Sequence, residues 1–251
     1  MPVQVAEKPD LHPAWGGEIP DAQWAIYDRA LGELNDSGIR YALGGAFGLA
    51  VYIDHLRNTK DLDLYVMRRD RGDVIEILTR CGLADYYDRL PYQRHWIYRS
   101  VAGDVIVDVI WEMANRRAAV DAAWLTRGSL IDLRGRVLRV LPPEELLWSK
   151  LYVMQRERCD WPDIINLIHA TGPDLDWDRL IRRLGDDEPL LAAVLSVFGW
   201  VCPARALELP TGLWRRLGIS RPSPGPCRAA LFDSRPWFQP DLVDERERKE
   251  E

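Results

Sequence analysis

The chain has 251 residues, of which 47% are apolar and 29% charged, so it can bury one large core or two smaller ones. Its net charge of -6 excludes a protein that coats nucleic acid non-specifically, because such binding needs many Lys and Arg contacts to phosphates. There is no apolar run of about 18 residues and no basic start followed by an apolar stretch, so we expect a cytoplasmic protein without a membrane span.

The first part of the chain is predicted to form an arm, a helix and then a strand–turn–helix–strand unit. Residues 1–20 contain four prolines and no apolar periodicity, which favours an extended arm. Apolar residues recur at helical spacing from Asp21, and this pattern stops at Asp36-Ser37-Gly38, which is typical of a helix end. The strand, glycine turn, helix and strand that follow are expected at 40–43, Gly44-Gly45, 46–55 and 62–66.

The middle of the chain is predicted to be mixed α/β, and its last part helical. A helix, three strands, a helix and a hairpin are expected at 72–81, 85–90, 95–100, 105–111, 118–125 and 130–141. Further helices are expected at 144–157, 161–170, 177–184, 188–200 and 211–217. The predicted class is α/β (α+β), with the arm, a mixed-sheet core, a helical region and a Pro-rich charged tail at 1–20, 21–141, 142–219 and 220–251.

Two carboxylates in the D-L-D sequence are the first candidates for chemistry. Asp61 and Asp63 stand at positions i and i+2 of a predicted strand, so both project from one face, roughly 6–7 Å apart. They could share a Mg²⁺ or Mn²⁺ ion, since hard divalent cations prefer carboxylate oxygens. The alternative is a solvent-facing strand edge without a metal.

Gly44-Gly45 is a candidate phosphate-binding turn. It stands between a predicted strand and a predicted helix, where the lack of side chains lets backbone N–H groups approach a phosphate. A plain tight turn is the alternative. The order of strand, Gly-Gly turn, helix, basic residues and carboxylate pair is rarer than any one of its parts.

These motifs, L-G-G-A-F-G-L-A-V-Y followed by H-L-R-N-T-K-D-L-D-L-Y-V, resemble the signature of the polymerase-beta nucleotidyltransferase superfamily. They are most similar to bacterial families of abortive-infection and toxin-antitoxin systems, and less to aminoglycoside nucleotidyltransferases. Fifteen residues separate Gly45 from Asp61, slightly more than in compact members. The resemblance spans about residues 40–170. It implies a polymerase-beta-like core that binds a nucleoside triphosphate through Gly44, Gly45, Arg57, Thr59, Lys60 and Lys150.

The resemblance also implies a third carboxylate on a later strand. V-I-V-D-V-I-W offers Asp108, whose burial between Val107 and Val109 would be costly without a partner. Asp104, four residues earlier, is the alternative, although its place after Gly103 indicates a strand entrance. We favour Asp108, so the predicted catalytic and metal-binding residues are Asp61, Asp63 and Asp108.

A helical segment adds a further match. In P-P-E-E-L-L-W-S-K-L and R-E-R-C-D-W-P-D-I, Lys150 holds the position of a family lysine that reaches the nucleotide phosphates. Arg158, Asp160 and Asp163 hold positions that, in the family, mostly tie the helices to the catalytic domain. A solvated helix residue is the alternative for Lys150.

The implied function is the Mg²⁺-assisted transfer of a nucleoside monophosphate to an acceptor hydroxyl on a tRNA end, a protein or a small molecule. A cleft lined by Arg57, Lys60, Arg94 and Lys150 could hold one nucleic-acid end. Arg94 and His95 could also serve phosphate binding or acid–base chemistry, although structural roles are favoured. The alternatives are a non-catalytic nucleotide-binding or antitoxin-like protein, and an interaction protein whose Pro-rich arms wrap a second copy or another partner.

Overall fold

The computed structural model describes residue 9, residues 11–57 and residues 59–232. The described chain divides between Pro142 and Pro143 into two compact units. The expected class is confirmed, since a mixed α/β unit precedes a helical one. The charged end of the predicted tail, residues 233–251, lies outside the described residues.

The first unit contains four α-helices and seven strands among its described residues. The helices are α1 (Asp21–Ser37), α2 (Gly45–Ile53), α3 (Arg71–Arg80) and α4 (Ala122–Thr126). The strands are β1 (Tyr41–Leu43), β2 (Asp61–Val66), β3 (Ala84–Asp85), β4 (Ile97–Ala102), β5 (Val105–Ile110), β6 (Leu130–Leu133) and β7 (Arg136–Arg139).

Five of the described strands form a mixed sheet in the order β1-β2-β5-β4-β3. The pair β2 and β5 is parallel, and the other neighbours are antiparallel. One face of the sheet packs on the apolar core with α1 and α3, because alternate residues of β2 and β5 are aliphatic: Leu62, Leu64, Val66, Val105, Val107 and Val109. The side chains between them, including the aspartates of β2 and β5, therefore lie on the opposite face.

The described part of the predicted arm does not stay extended, whereas residues 1–8 and residue 10 of that arm lie outside the described residues. Ala14–Glu18 form a 3-10 helix, and Trp15 and Ile19 are buried in the core of the first unit. Leu11 also pairs with Ile131 of the β6–β7 hairpin. The apolar residues spread through the proline-rich segment explain the difference, since their burial stabilises a packed course.

Two predicted elements of the first unit are shorter than expected, each for a capping reason. The strand expected at 85–90 ends at Asp85, whose side chain accepts a hydrogen bond from the Tyr87 N–H and starts a 3-10 turn. The helix expected at 118–125 begins only at Ala122, because Asp121 caps it by accepting from the Ala123 N–H.

The described part of the second unit consists of helices and turns. Its α-helices are α5 (Pro143–Leu151), α6 (Trp161–Thr171), α7 (Trp177–Leu184), α8 (Glu188–Val201), α9 (Pro203–Ala206) and α10 (Thr211–Arg216). The prediction of one helix over 144–157 is wrong, because the chain turns after Leu151: Asp160 N–H donates to Val153 O, and Met154 pairs with Cys159. No helix in the described ranges is long and apolar enough to cross a membrane.

Candidate active site

The sheet brings together three carboxylates that are distant in sequence. Asp61 and Asp63 stand two residues apart on β2, and Asp63 is the direct neighbour of Asp108 in the parallel register of β2 and β5. Neighbouring positions of adjacent strands project to the same face of a sheet. All three predicted acidic residues therefore lie on the face opposite the core, where Asp61 and Asp63 are half-buried and Asp108 is buried.

Asp108 is held by a guanidinium group that the sequence analysis did not single out. Arg99, opposite Asp108 in the β4–β5 register, donates from Nε to Oδ1 at 2.8 Å and from Nη2 to Oδ2 at 2.6 Å. The Asp108 residue is only 1% exposed, so this bidentate pair supplies the partner that a buried carboxylate needs. A sequence signal existed, since pairing the two predicted strands about the Gly103-Asp104 turn places Arg99 opposite Asp108.

The charges of all three carboxylates act on Arg99. Its hydrogen bonds to Asp108 raise the pKa of the guanidinium above its ordinary value, burial opposes this, and the negative charges of Asp61 and Asp63 reinforce it. The Tyr86 ring also lies 5.8 Å from the guanidinium carbon. Arg99 is therefore a fixed positive charge facing the whole carboxylate cluster.

Gly45 lies directly against the Asp63 carboxylate at the start of α2. Its φ is +54°, and a Cβ at this position would lie 1.7 Å from Asp63 Oδ2. Gly44 donates its N–H to the Asp63 carbonyl at 3.0 Å, and a Cβ there would lie 2.3 Å from the Tyr65 ring. Both glycines of the predicted turn are thus needed for the close approach of α2 to β2.

The turn before β2 is fixed by helix α1. The Tyr27 hydroxyl donates to the Lys60 carbonyl at 2.8 Å, and Gln23 donates to the Thr59 carbonyl at 2.8 Å. The Thr59 hydroxyl accepts from the Asp61 N–H at 3.2 Å. Burial raises the pKa of Tyr27, the bond from Gln23 opposes this, and the charges of Asp61 and Asp63 raise it further.

The basic residues of the predicted cleft are only partly available. Arg57 is exposed in the loop between α2 and β2. The ammonium group of Lys60 lies 3.4 Å from Asp104 Oδ2, and Arg94 pairs with Asp85 and covers the Tyr87 ring. His95 Nε2 lies 3.1 Å from the Ala114 carbonyl. Neighbouring carboxylates of the first unit therefore partly neutralise the positive charges of Lys60 and Arg94.

In the second unit, Lys150 lies in a buried ion cluster. Its ammonium group donates to Asp163 at 2.7 Å and to Asp160 at 3.1 Å, and the residue is 3% exposed. Arg158 donates to both oxygens of Asp160. Burial raises the pKa of Asp160, but the hydrogen bonds from Arg158 and the charge of Lys150 outweigh it and hold this pKa below its ordinary value. A phosphate-binding role for Lys150 stays a prediction.

The carboxylates of β2 supply the kind of ligand that a divalent cation requires. Asp61 and Asp63 supply half-buried carboxylates on one face, and this pair fits a single hard cation. Within residues 9, 11–57 and 59–232, no group of three or more His, Cys, Asp or Glu side chains is arranged as a metal site. Asp108, the third predicted metal ligand, instead has both carboxylate oxygens bonded to Arg99.

Residues 21–195 match the model of a protein family described as "Uncharacterised nucleotidyltransferase". A comparison with curated proteins gives no match.

Several solved structures are distantly similar. The solution structure of the antibiotic-resistance factor ANT(2'')-Ia is 17% identical, with 69% of this chain and 95% of that chain covered and a TM-score of 0.47. The lincomycin-bound lincosamide antibiotic adenylyltransferase LnuA is 17% identical over 59% of this chain and 96% of that chain, with a TM-score of 0.42. JHP933 from Helicobacter pylori is 11% identical over 74% and 79% of the two chains, with a TM-score of 0.39. These likenesses are too distant to indicate a substrate.

Proposed function

The chain belongs to the family described as "Uncharacterised nucleotidyltransferase", and from this premise we propose that it transfers a nucleoside monophosphate from a nucleoside triphosphate to an acceptor hydroxyl. The observation that carries this proposal is the placement of Asp61, Asp63 and Asp108 on one face of adjacent strands. Carboxylates that are brought this close repel one another, so a site that keeps them together needs positive charge from a ligand or from the protein.

Asp61 and Asp63 would hold the divalent cation, Mg²⁺ or Mn²⁺. When bound, such a cation neutralises charge on the triphosphate and polarises its oxygens. The protein's own contribution is to position the two aspartates before the substrate arrives: the Thr59 hydroxyl bonds to the Asp61 N–H at the start of β2, and Gly45 at the start of α2 lies against Asp63. This preorganisation avoids a rearrangement during the reaction.

In the proposed reaction, the acceptor oxygen forms a bond to the α-phosphorus, and the bond from that phosphorus to the bridging oxygen breaks. Pyrophosphate leaves with the electron pair, and the acceptor hydroxyl loses its proton to solvent. The N–H groups at the start of α2, after Gly44, would support phosphate oxygens, because a helix N-terminus favours negative charge. Arg57 and Lys60 lie in the loop between α2 and β2 and would add positive charge for the phosphates, and Lys150 is carried over from the family resemblance.

The role of Asp108 has two candidate forms. In the form implied by the resemblance, Asp108 would help to hold a second cation, which would supply a lower barrier to deprotonation of the acceptor hydroxyl. The bidentate bond from Arg99 supports instead a role in which Asp108 holds that guanidinium in place. The acceptor itself is a tRNA end, a protein hydroxyl or a small molecule such as an antibiotic.

A second candidate function is nucleotide binding without turnover, as in an antitoxin-like partner that keeps the fold. The Arg99–Asp108 pair is the observation that favours it, because a third carboxylate occupied by an arginine is a departure from a three-carboxylate metal site. The presence of both Asp61 and Asp63 favours catalysis.

The test is transfer of label from each α-labelled nucleoside triphosphate in Mg²⁺ or Mn²⁺. Acceptors would be total tRNA, aminoglycosides, lincosamides and the protein alone. We expect Asp63→Asn to lower transfer by at least about 1,000-fold, because it removes a charged metal ligand. Circular dichroism should show an intact fold.

Asp104→Asn is the matched control, since the Asp104 side chain is 85% exposed and pairs with the exposed Lys60. It should retain transfer within about two-fold. Wild-type turnover in Asp63→Asn would refute the assignment of the site. Tight nucleotide binding without transfer to any acceptor would instead favour the non-catalytic function.

A further inference from the structure

Arg99 lies where a second cation of a three-carboxylate site would have to bind. Besides the bonds at 2.8 and 2.6 Å, its Nε lies 3.2 Å from Asp108 Oδ2, so one planar guanidinium covers both carboxylate oxygens. A divalent cation on Asp108 would lie within a few ångströms of this permanent charge, and like charges at such distances repel strongly. Arg99 and a cation on Asp108 therefore compete.

The sheet holds Arg99 in this position from several sides. Arg99 is paired with Asp108 in the β4–β5 register, and Asp108 is paired with Asp63 in the β5–β2 register. The guanidinium therefore lies on the same face of the sheet as the carboxylates. The backbone N–H of Arg99 donates to the Tyr92 hydroxyl at 3.0 Å, and the Tyr86 ring lies beside the guanidinium. These contacts limit the freedom of Arg99 to leave Asp108.

Part of the guanidinium remains directed away from Asp108. The Arg99 side chain is 33% exposed, against 2% for Asp108. Among the residues that the structure describes, Arg99 Nη1 donates no hydrogen bond, whereas Nε and Nη2 both bond to Asp108. A guanidinium has five donors, so after a bidentate bond to a carboxylate it can still bind a phosphate oxygen.

We propose that this site holds one divalent cation, on Asp61 and Asp63, and that the Arg99 guanidinium takes the place of a second cation and binds the transferred phosphate group. The inference rests on the proposed nucleotidyl transfer. The balance of charge supports this proposal, because one guanidinium and one divalent cation together neutralise the negative charge of the three carboxylates. Asp108 is then a positioning residue, whose function is to orient Arg99.

The experiment counts Mn²⁺ ions by electron paramagnetic resonance and isothermal titration calorimetry, on the full chain with a non-hydrolysable α,β-methylene nucleoside triphosphate. We expect one Mn²⁺ per wild-type chain. Asp108→Asn should also bind one, because Asp108 is not a ligand. Arg99→Gln, which uncovers the Asp108 carboxylate, should bind a second Mn²⁺, whereas Arg99→Lys should still bind one.

Activity gives the second measurement. We expect kcat to fall roughly 100-fold in Arg99→Gln, with a smaller fall in Arg99→Lys, because the lost group stabilises charge during transfer. A wild-type count of two would overturn the inference while leaving the proposed function intact, and a drop to one in Asp108→Asn would identify Asp108 as a ligand of the second ion. A count of zero in the wild type would overturn both. The wild-type count decides between these outcomes even if a variant fails to fold.

Discussion

At the scale of one residue, Gly45 is required both by its own backbone conformation and by its close approach to the candidate site. It combines a positive φ of +54° with a Cβ position only 1.7 Å from Asp63 Oδ2. A side chain would therefore meet two separate penalties, the left-handed backbone and a collision with a carboxylate that itself is fixed on β2. The two penalties can be separated, because Gly38 at the end of α1 has a φ of +71° and open space around its Cβ position.

We predict that Gly45→Ala lowers the free energy of unfolding by about 3 kcal/mol or more, against about 1 kcal/mol for Gly38→Ala. Nucleotide binding should weaken only in Gly45→Ala, since its methyl group displaces Asp63. Urea unfolding and calorimetric titration with a nucleoside triphosphate measure the two effects. Equal losses of stability, with unchanged binding in both variants, would contradict the close approach of Gly45 and Asp63.

At the scale of elements, α5 and α6 are joined by buried charge. Lys150 on α5 reaches Asp163 on α6 and Asp160 just before it, and the side chains of all three are 4% exposed. Two carboxylates and one ammonium are costly to bury unless each is paired. The cluster therefore fixes how the two helices meet, and it depends on every member.

We predict that Lys150→Met lowers the free energy of unfolding by about 3 kcal/mol, because it leaves two buried carboxylates without their shared cation. Lys60→Met is the matched control: its ammonium is 61% exposed and pairs with an exposed Asp104, so the expected loss is below about 1 kcal/mol. Urea unfolding measures both. A Lys150→Met protein of normal stability that loses nucleotide affinity would instead support the phosphate-binding role.

We expect the ion pair between Arg158 and Asp160 to make the stability of the fold depend on pH. The pKa of Asp160 is lowered in the folded chain, so its contribution is fully present above the unfolded value near 3.8 and is lost as the pH falls through the folded value. We predict that Arg158→Gln lowers the free energy of unfolding by about 1 kcal/mol at pH 7, and that the difference from the wild type shrinks below about pH 4. Urea unfolding from neutral to acidic pH checks this. A difference that grows on acidification would have the wrong sign.

At the scale of the whole molecule, the net charge of -6 limits which acceptors can bind. A long RNA would be repelled by this charge, whereas a cationic or neutral small acceptor, or a single RNA end, would not meet the same field. The pairing of Lys60 with Asp104 and of Arg94 with Asp85 reduces the local basic charge further.

We predict that the protein binds random-sequence single-stranded RNA more weakly than about 10⁻⁴ M near physiological salt, with little gain when salt falls from about 200 mM to about 50 mM. Fluorescence anisotropy with a labelled oligonucleotide measures this, and full-length tRNA provides the comparison. Affinity that rises steeply as salt is lowered would reveal an extended phosphate-binding surface and would contradict the argument from charge.

Much of the secondary structure was predictable because it depends on local pattern. The end of α1 at Gly38, the β6–β7 hairpin and the strand that carries Asp61 and Asp63 follow from periodicity and turn chemistry, and they agree with the structure. Two of the elements that failed depend on single side chains, because Asp85 and Asp121 form caps that shorten a strand and a helix. Hydrophobic periodicity does not reveal where a side chain competes with the backbone hydrogen bonds of a strand or helix in this way.

The sequence by itself determined the nucleotidyltransferase resemblance, which the family match confirms, and the carboxylates of one strand. Only the tertiary structure decided what surrounds them. The parallel pairing of β2 with β5 and the antiparallel pairing of β5 with β4 bring Asp63, Asp108 and Arg99 side by side, although 44 residues separate the two aspartates in the sequence. Sheet register is a long-range property that is set by the shared core, so the guanidinium facing the carboxylates became visible only when the strands were aligned.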